Sequence, residues 1–539
     1  MKKTLLYDAQ VITVNEKDDI AEAILFDDDQ IIFVGKTEDA LKLCEPDTEK
    51  IDLAGKTVLP GFIESHMHIM TKLVISRGID MSLLSGITKI DDVKKRLVSN
   101  KHGQDWIICH GLTFEDLEEK RWPTRWELDE AVADAPVAIT HSSGHTGLYN
   151  TKALELLGVL DGTIELPEEF MERNEKGELT GVLNESAHMK CADKVKLFNP
   201  VTEEDMKDFA RAIEKDLNAC GITSVHDAGG TGTTTINAEQ KLYQEEGLSI
   251  RLYPMLFSIL GKDHNVAFVK NCISSGFYTG LGDDFFRIGP LKIMIDGSGA
   301  SGTCATREPM SHNGGLNPTS MTQEEVDDVV ISAHEAGFQV TAHCIGDRAV
   351  EMVLDAYKKA QEKYPRTDCR HRIEHCMIAE PDLLERIKEQ EVIPIFNPTF
   401  VNLWGESFNK YYGGNRKDYL IPLKSALDSG ICCTIASDYE CCPNMEPVKG
   451  IASAMDRMIY STGNKVAENQ AISLMQAIRC YTYNAAYAEF AEDKKGSLES
   501  GKFSDIVVLD GTITEMEPKD IYNMKVERTY CGGKLVYKK

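Results

Sequence analysis

Residues 57–68 read TVLPGFIESHMH, a short apolar run that ends in two histidines separated by one residue. In a β-strand, successive side chains point to opposite faces, so His66 and His68 share a face while Met67 takes the other. Two imidazoles on one face at the end of a strand can hold one metal ion. Because histidine has several routine uses, the meaning of this pair depends on the residues downstream.

The middle of the chain alternates short apolar strands with helical stretches, which is typical of βα units and a parallel sheet. We predict helices near 203–219, 322–336, 347–361 and 380–390. We predict strands near 58–66, 222–228, 250–256, 287–296, 338–344, 371–376, 392–397 and 432–438. Eight such units predict an α/β protein with a closed, TIM-like (β/α)8 barrel, whose chemistry lies at the C-terminal ends of the strands.

The two ends of the chain are each predicted to form short strands joined by turns. Neither end has enough strands for a sandwich by itself. We therefore predict a composite β-sandwich domain from residues 1–57 and 497–539, with a hydrolase barrel over 58–496 inserted into it. The interval 70–220 is too long for one βα connection. We predict that it forms an inserted subdomain over the barrel mouth.

Composition and charge narrow the class of partner and the compartment. The 59 basic and 86 acidic residues give a net charge of −27, which disfavours nucleic acid or an anionic membrane as a partner. No uninterrupted apolar run is long enough to span a bilayer. Fifteen cysteines without a secretion signal predict reduced thiols and a cytoplasmic protein. We expect a small-molecule substrate, and a homodimer because two-fold assembly is the commonest.

The fourth predicted strand carries a lysine among apolar residues. Alternation places Lys292, Met294 and Asp296 on one face of this strand. Lysine is almost never fully buried unless it is paired. Lys292 therefore either forms an ion pair with a neighbour such as Asp296, or has a pKa lowered by desolvation for a task.

The fifth, sixth and eighth predicted strands end in His343, His375 and Asp438. Each residue alone has a structural interpretation, as a core histidine or a helix-capping aspartate. Four histidines, a lysine and an aspartate at the ends of strands one, four, five, six and eight together predict a cluster of metal ligands. Neutral imidazoles together with anionic oxygen ligands suit Zn²⁺, although nickel, manganese or iron also fit nitrogen and oxygen ligands.

Short motifs occur along nearly the whole chain: PGFIESHMH at 60–68, GHTGLYN at 144–150, GVLNES at 181–186, GITSVHDAGG at 221–230, LKIMIDGS at 291–298, AHCIGDRA at 342–349, RIEHC at 372–376, ASD at 436–438 and KGSLESGKFSDIVVLD at 495–510. They resemble the amidohydrolase superfamily, and within it the YtcJ-like metal-dependent amidohydrolases that include N-substituted formamide deformylases. The sequence departs from this pattern at Glu64, where many relatives have aspartate.

The resemblance implies a carboxylated Lys292 that bridges two divalent metals, usually zinc. It places one metal on His66, His68 and Asp438, and the other on His343 and His375. The implied reaction is hydrolysis of an amide or related C–N bond of a small molecule, other than a peptide bond of a protein, through a metal-activated hydroxide. A carbamate is a two-oxygen anionic ligand, and two such metals lower the pKa of a bridging water.

Asp438, one of the implied ligands, and three further residues are candidates for other roles at the site. Asp438 can take the proton from the water and deliver it to the leaving nitrogen. His145 is a candidate catalytic residue on a loop over the barrel mouth, near Asn150. His226 is a candidate for a contact with substrate or with a metal ligand. Glu185 is the alternative bridging carboxylate if Lys292 is not modified.

Two other functions stay open at this point. A mononuclear deaminase on the same barrel needs no lysine on strand four, so Lys292 argues against it and metal stoichiometry separates the two enzymes. A non-catalytic relative that keeps the fold is expected to lack one or more ligands. All six ligands are present here.

Overall fold

The computed structural model describes residues 3–69, 78–103, 105–114, 117–142, 144–196, 202–230, 232–259, 261–439, 442–460 and 462–539. Its α-helices span Thr37–Lys42, Ile90–Ser99, Arg125–Ala131, Thr151–Leu157, Glu185–Lys196, Glu203–Ala219, Thr233–Glu246, Lys262–Ser274, Gln323–Glu335, Asp347–Lys363, Pro381–Glu389, Thr399–Tyr411, Leu423–Asp428, Pro447–Asp456, Leu474–Tyr481, Tyr483–Ala488 and Pro518–Ile521. Among the described residues, no helix is long and apolar enough to cross a membrane.

Eight parallel strands alternate with helices through the middle of the chain, and they are labelled β1 to β8 here. Their bounds are Phe62–Met67, Ile222–Asp227, Arg251–Leu252, Leu291–Met294, Val340–Cys344, Arg372–His375, Ile393–Phe396 and Thr434–Ile435. They form one sheet in the order β3-β2-β1 and another in the order β4-β5-β6-β7-β8. The predicted α/β class is confirmed, and each strand overlaps a predicted one.

Contacts join the two parallel sheets at both of their edges. A parallel bridge pairs Leu256, just after β3, with Leu291 in β4. On the other side, the Asp438 amide donates to the His66 carbonyl at 3.0 Å. Below it, the Ser65 and Thr434 hydroxyls lie 2.7 Å apart. The end of β1 is therefore tied to the end of β8.

The strand predicted over 58–66 is two strands that lie in different sheets. The prediction was therefore wrong about where the first barrel strand begins. Thr57–Pro60 pairs with Gln10–Ile12 and with Ile506–Leu509, and β1 begins only after Gly61. A Cβ at Gly61 would lie 2.2 Å from the Thr223 hydroxyl oxygen, so only glycine lets the backbone pass here.

Gly61→Ala is expected to lower the free energy of unfolding by about 1–3 kcal/mol, because overpacking at a buried site forces neighbours to move. Denaturant unfolding measures the change. Gly315→Ala is the matched control, because its Cβ would meet nothing closer than 3.4 Å. Equal stability of the two variants would contradict the proposed close approach.

Strands from both ends of the chain lie in a pair of sheets. A six-stranded sheet has the order Lys534–Lys538, Val526–Cys531, Ile506–Leu509, Thr57–Pro60, Gln10–Ile12 and Ile20–Ala21. A four-stranded sheet has the order Ile31–Gly35, Ala23–Phe26, Thr4–Tyr7 and Glu49–Asp52. One buried apolar cluster takes Leu6 and Phe26 from the smaller sheet and Val58 and Val508 from the larger.

The region between β1 and β2 contains a sheet of its own. Its order is Met171–Arg173, Leu179–Asn184, Thr146–Tyr149, Val137–His141, Ile107–Leu112 and Ile79–Asp80. Two separate apolar clusters pack on it, one around Ile139 and one around Tyr149. Thr146 pairs with Asn184 in antiparallel register, so the neighbouring residues His145 and Glu185 are brought together.

Candidate metal-dependent active site

Residues at the C-terminal ends of β1 and β8 converge on one point. His66 Nε2 lies 3.4 Å from Asp438 Oδ1, and His68 Nε2 lies 3.8 Å from the same oxygen. The ligand atoms of these three buried side chains all lie within 4.8 Å of one another. Two imidazole nitrogens and a carboxylate oxygen at this spacing suit a divalent metal such as Zn²⁺.

Lys292, in β4, extends into the same group of side chains. Its Nζ lies 3.5 Å from His66 Nε2 and 5.0 Å from the centroid of the Phe257 ring, and the residue is 2% exposed. The carboxylate of Asp296 accepts hydrogen bonds from the backbone amides of Ala305, Ile345 and Gly346. Burial nevertheless raises the pKa of Asp296 to about 7.

His343 and His375 complete the predicted set. Their ring centroids lie 4.6 Å apart, and the His375 ring lies 4.7 Å from that of His66. His375 has a φ of +71° and Asp438 one of +56°, a region that non-glycine residues seldom adopt. Backbone strain of this kind persists where surrounding structure imposes it, and it concentrates at functional sites.

Each of the four histidines has one ring nitrogen next to an acceptor. The pairs are His66 Nδ1 with Glu374 Oε2, His68 Nδ1 with the Gly229 carbonyl (2.8 Å), His375 Nδ1 with Asn397 Oδ1 (2.8 Å) and His343 Nε2 with the Gly297 carbonyl (3.0 Å). Burial lowers the pKa of all four rings, that of His68 to about 3. Neutral imidazoles bonded in this way keep a lone pair on the other nitrogen, as metal ligands require.

His145 lies at the same site and is oriented by Glu185. Its Nδ1 is 2.9 Å from Glu185 Oε2, and the Thr303 hydroxyl donates to Glu185 Oε1 at 2.6 Å. Burial lowers the pKa of His145, but the carboxylates of Glu185, Asp438 and Asp296 together outweigh this effect and raise it above the ordinary value. The structure therefore places Glu185 against His145. Asn150 instead caps the helix Thr151–Leu157.

His226 is not brought into the group of proposed ligands. Its Nδ1 accepts a hydrogen bond from Arg372 at 2.9 Å, and its Nε2 lies 3.3 Å from Glu489 Oε1. Burial lowers the pKa of this ring to about 4. These contacts are those of a residue that holds Arg372 in place.

A cleft opens onto the site. Its wall combines polar groups with apolar side chains: His145, Ser298, Gly299, Ala300, His343, Ile345, His375, Phe400, Trp404 and Asp438. The Phe400 ring stacks on His375 at a centroid distance of 5.8 Å. The cleft can therefore present proton-transfer groups and an aromatic wall to one small molecule.

Sequence reasoning missed Glu374 and Asn397, whose contacts orient His66 and His375. Glu374 precedes His375 in β6. A carboxylate within an otherwise buried strand is unusual, and this was the signal by which it could have been identified. Asn397 directly follows β7, where its amide resembled an ordinary loop residue. Both act through a partner from a different strand, which a linear sequence does not display.

A second group of possible ligand atoms lies near the start of β6, formed by His334, Cys369 and His371. His334 Nδ1 is 2.9 Å from His371 Nε2, and His334 Nε2 is 2.7 Å from the Tyr364 carbonyl. The Val340 amide donates to His371 Nδ1, so the proton of this ring is on Nε2. The two rings thus satisfy each other, as in a structural hydrogen-bonded pair.

Comparison with known proteins matches this architecture to a family. The amidohydrolase family model matches residues 49–537. An N-substituted formamide deformylase of Arthrobacter pascens is 28% identical, over 100% of this chain and 99% of its own. The putative amidohydrolase YtcJ of Bacillus subtilis is 26% identical over the full length of both.

A solved structure supports the fold. An uncharacterized metal-dependent hydrolase from Pyrococcus horikoshii aligns with a TM-score of 0.74 at 24% identity, over 96% of this chain and 98% of its own. The resemblance drawn from the sequence motifs is confirmed, as is the prediction of a metal-dependent hydrolase acting on C–N bonds. The chain belongs to the amidohydrolase family.

Proposed function

We propose that this protein hydrolyses an amide or related C–N bond of a small molecule at a metal centre in the mouth of a closed (β/α)8 barrel. The observation that carries the proposal is the convergence of four neutral imidazoles, the Asp438 carboxylate and Lys292. The contacts that tie β1 to β8 and β3 to β4 support barrel closure. The sheet around Ile139 is proposed to be the inserted subdomain, over 70–220.

His66, His68 and Asp438 are proposed to hold one divalent ion, and His343 and His375 a second, with zinc as the metal. Lys292 is proposed to be carboxylated: its ammonium group loses one proton to give the amine, and addition of carbon dioxide to the amine releases a second proton. This change turns a positive charge near His66 into an anionic ligand that can bridge two ions. When bound, such ions supply Lewis acidity that polarises the substrate carbonyl and lowers the pKa of water.

The remaining roles fall on side chains that line the cleft. Asp438 accepts the proton of the attacking water and delivers it to the leaving nitrogen. His145, with its Nδ1–H held by Glu185, directs Nε2 at the substrate and positions it by a hydrogen bond. Water contributes the hydroxyl group of the acid product, and the nitrogen leaves as an amine.

The walls of the cleft support a proposal for the substrate class. Phe400, Trp404 and Ile345 form an apolar surface next to His375 and Asp438. Such a surface suits an N-substituent without charge. A relative of full length is an N-substituted formamide deformylase, and we propose small N-acyl amides with an apolar N-substituent.

A substrate panel tests the proposed reaction. Metal-replete protein is incubated with N-formyl, N-acyl and carbamate compounds that carry matched apolar or charged N-substituents, and amine release is measured. We expect turnover of apolar N-formyl or N-acyl compounds above their charged counterparts. Release of ammonia from amino-substituted rings, with no amide hydrolysis, would favour the deaminase instead.

Extended chelation is expected to abolish turnover, and added zinc is expected to restore it, because no other complete nucleophile system was found in the sequence. Metal analysis of each sample must accompany the rate measurement. Full activity of a demonstrably metal-free protein would exclude the proposed centre.

We further propose a cytoplasmic homodimer. All cysteines within the described residues are free thiols, which suits a reducing compartment. Sedimentation velocity of the purified protein tests the dimer, and a monomer at all concentrations would contradict it.

A further inference from the structure

Glu374 is a fully buried carboxylate that contacts one of the proposed ligands. Its Oε2 contacts His66 Nδ1. The Thr341 hydroxyl and Arg372 Nε donate to its Oε1 at 2.5 and 2.9 Å, and Arg372 Nη2 donates to Oε2 at 3.1 Å. Because Arg372 is fully buried too, the two charges compensate each other away from water.

We infer that Glu374 is a positioning residue that keeps the proton of His66 on Nδ1 and the lone pair on Nε2. An ionised carboxylate only accepts hydrogen bonds, so the ring nitrogen that contacts it carries a proton. The other nitrogen then faces Asp438 at 3.4 Å and Lys292 at 3.5 Å. This inference rests on the proposed metal centre and adds a residue that the centre depends on.

The acceptor of His66 differs in charge from those of the other three histidines. His68 and His343 contact backbone carbonyls, and His375 contacts the neutral amide of Asn397. An imidazole whose N–H is bonded to a carboxylate is a more basic ligand than one bonded to a neutral acceptor. His66 should therefore contribute more to metal affinity than its neighbours.

Glu374→Gln tests the inference with a nearly isosteric change. The Thr341 hydroxyl and Arg372 Nε are both donors, so the amide oxygen of the substituted side chain stays next to them. Its amide nitrogen then faces His66 Nδ1 and donates to it. The proton of His66 then moves to Nε2 and blocks the lone pair. We expect zinc to bind about 10–100-fold more weakly, as with other residues that support a ligand.

Asp505→Asn is the matched control. Asp505 is likewise a buried carboxylate paired with a buried arginine, since Arg251 Nε and Nη2 donate to it at 2.8 and 3.0 Å, but it contacts none of the proposed ligands. We expect this variant to keep wild-type zinc affinity. Zinc affinity is measured by competition with a chromophoric chelator, with thermal unfolding to confirm that each variant is folded.

The outcomes separate this inference from the proposed function. Wild-type protein that binds no zinc would overturn the metal centre itself. Wild-type protein that binds zinc, with Glu374→Gln binding it equally well, would overturn the role of Glu374 alone. If Glu374→Gln does not fold, ¹⁵N NMR of the imidazole nitrogens in metal-free wild-type protein decides, with His66→Gln assigning the signal: a proton on Nδ1 supports the inference, and one on Nε2 overturns it.

Discussion

Asp438→Asn is expected to lower kcat by about 10²–10⁴-fold or more, because a positioned general base contributes that much and this residue is also a proposed ligand. The amide can neither take a proton from water nor hand one to the leaving nitrogen. Side-chain size is unchanged, so the fold should persist. Steady-state kinetics on a substrate found in the panel, with metal analysis of the same sample, measure the effect.

Asp456→Asn is the control for this change. Asp456 ends the helix Pro447–Asp456 and accepts a hydrogen bond from the Met458 amide, outside the cleft. It should retain wild-type kcat. A near-wild-type rate in Asp438→Asn would assign proton transfer to another residue, with His145 the next candidate. Loss of rate with both metals retained would show that the substitution removed proton transfer and left metal binding intact.

Lys292→Ala is expected to lose metal and activity together. The proposed carbamate is the only ligand shared by both ions, so its removal leaves His343 and His375 without an anion. Short carboxylic acids such as acetate should restore part of both, because a carboxylate can take the place of the bridge. Metal content and turnover are measured with and without added acid.

Lys207→Ala provides the comparison, since Lys207 is also a buried lysine but pairs with Glu245 at 2.6 Å on a remote helix. Carbon-13 NMR of the holoenzyme equilibrated with labelled carbon dioxide observes the carbamate directly. An unmodified amine at Lys292, together with a single bound metal, would instead support the mononuclear alternative.

The order of the strands could be predicted from the sequence because each parallel strand is a short apolar run between helical patterns. The division of residues 57–67 could not. Hydrophobicity continues through Thr57–Pro60 and β1, and nothing local marks Gly61 as the point where the backbone passes close to Thr223, far along the chain. A glycine required by a distant neighbour is indistinguishable in sequence from one in an ordinary turn.

The proposed ligands could be predicted because they lie in or shortly after β1, β4, β5, β6 and β8, and parallel strands bring their ends to one edge. The residues that orient them were harder to find. Glu374, Asn397 and Glu185 act through hydrogen bonds to histidines from other elements. His226 illustrates the opposite case. It lies near the end of β2, but its side chain contacts Arg372 and Glu489 and none of the proposed ligands. Residues at the end of one strand can face either the site or the interior.

The pairing of Thr57–Pro60 with Ile506–Leu509 has a consequence for synthesis of the chain. About 450 residues separate these partners, and at roughly 5–20 residues per second the earlier strand waits about 20–90 seconds for the later one. During that time the strand has an edge whose amides and carbonyls are open to other chains. A ribosome-associated chaperone that shields this edge should therefore raise the yield of native protein, and slow translation should lower it.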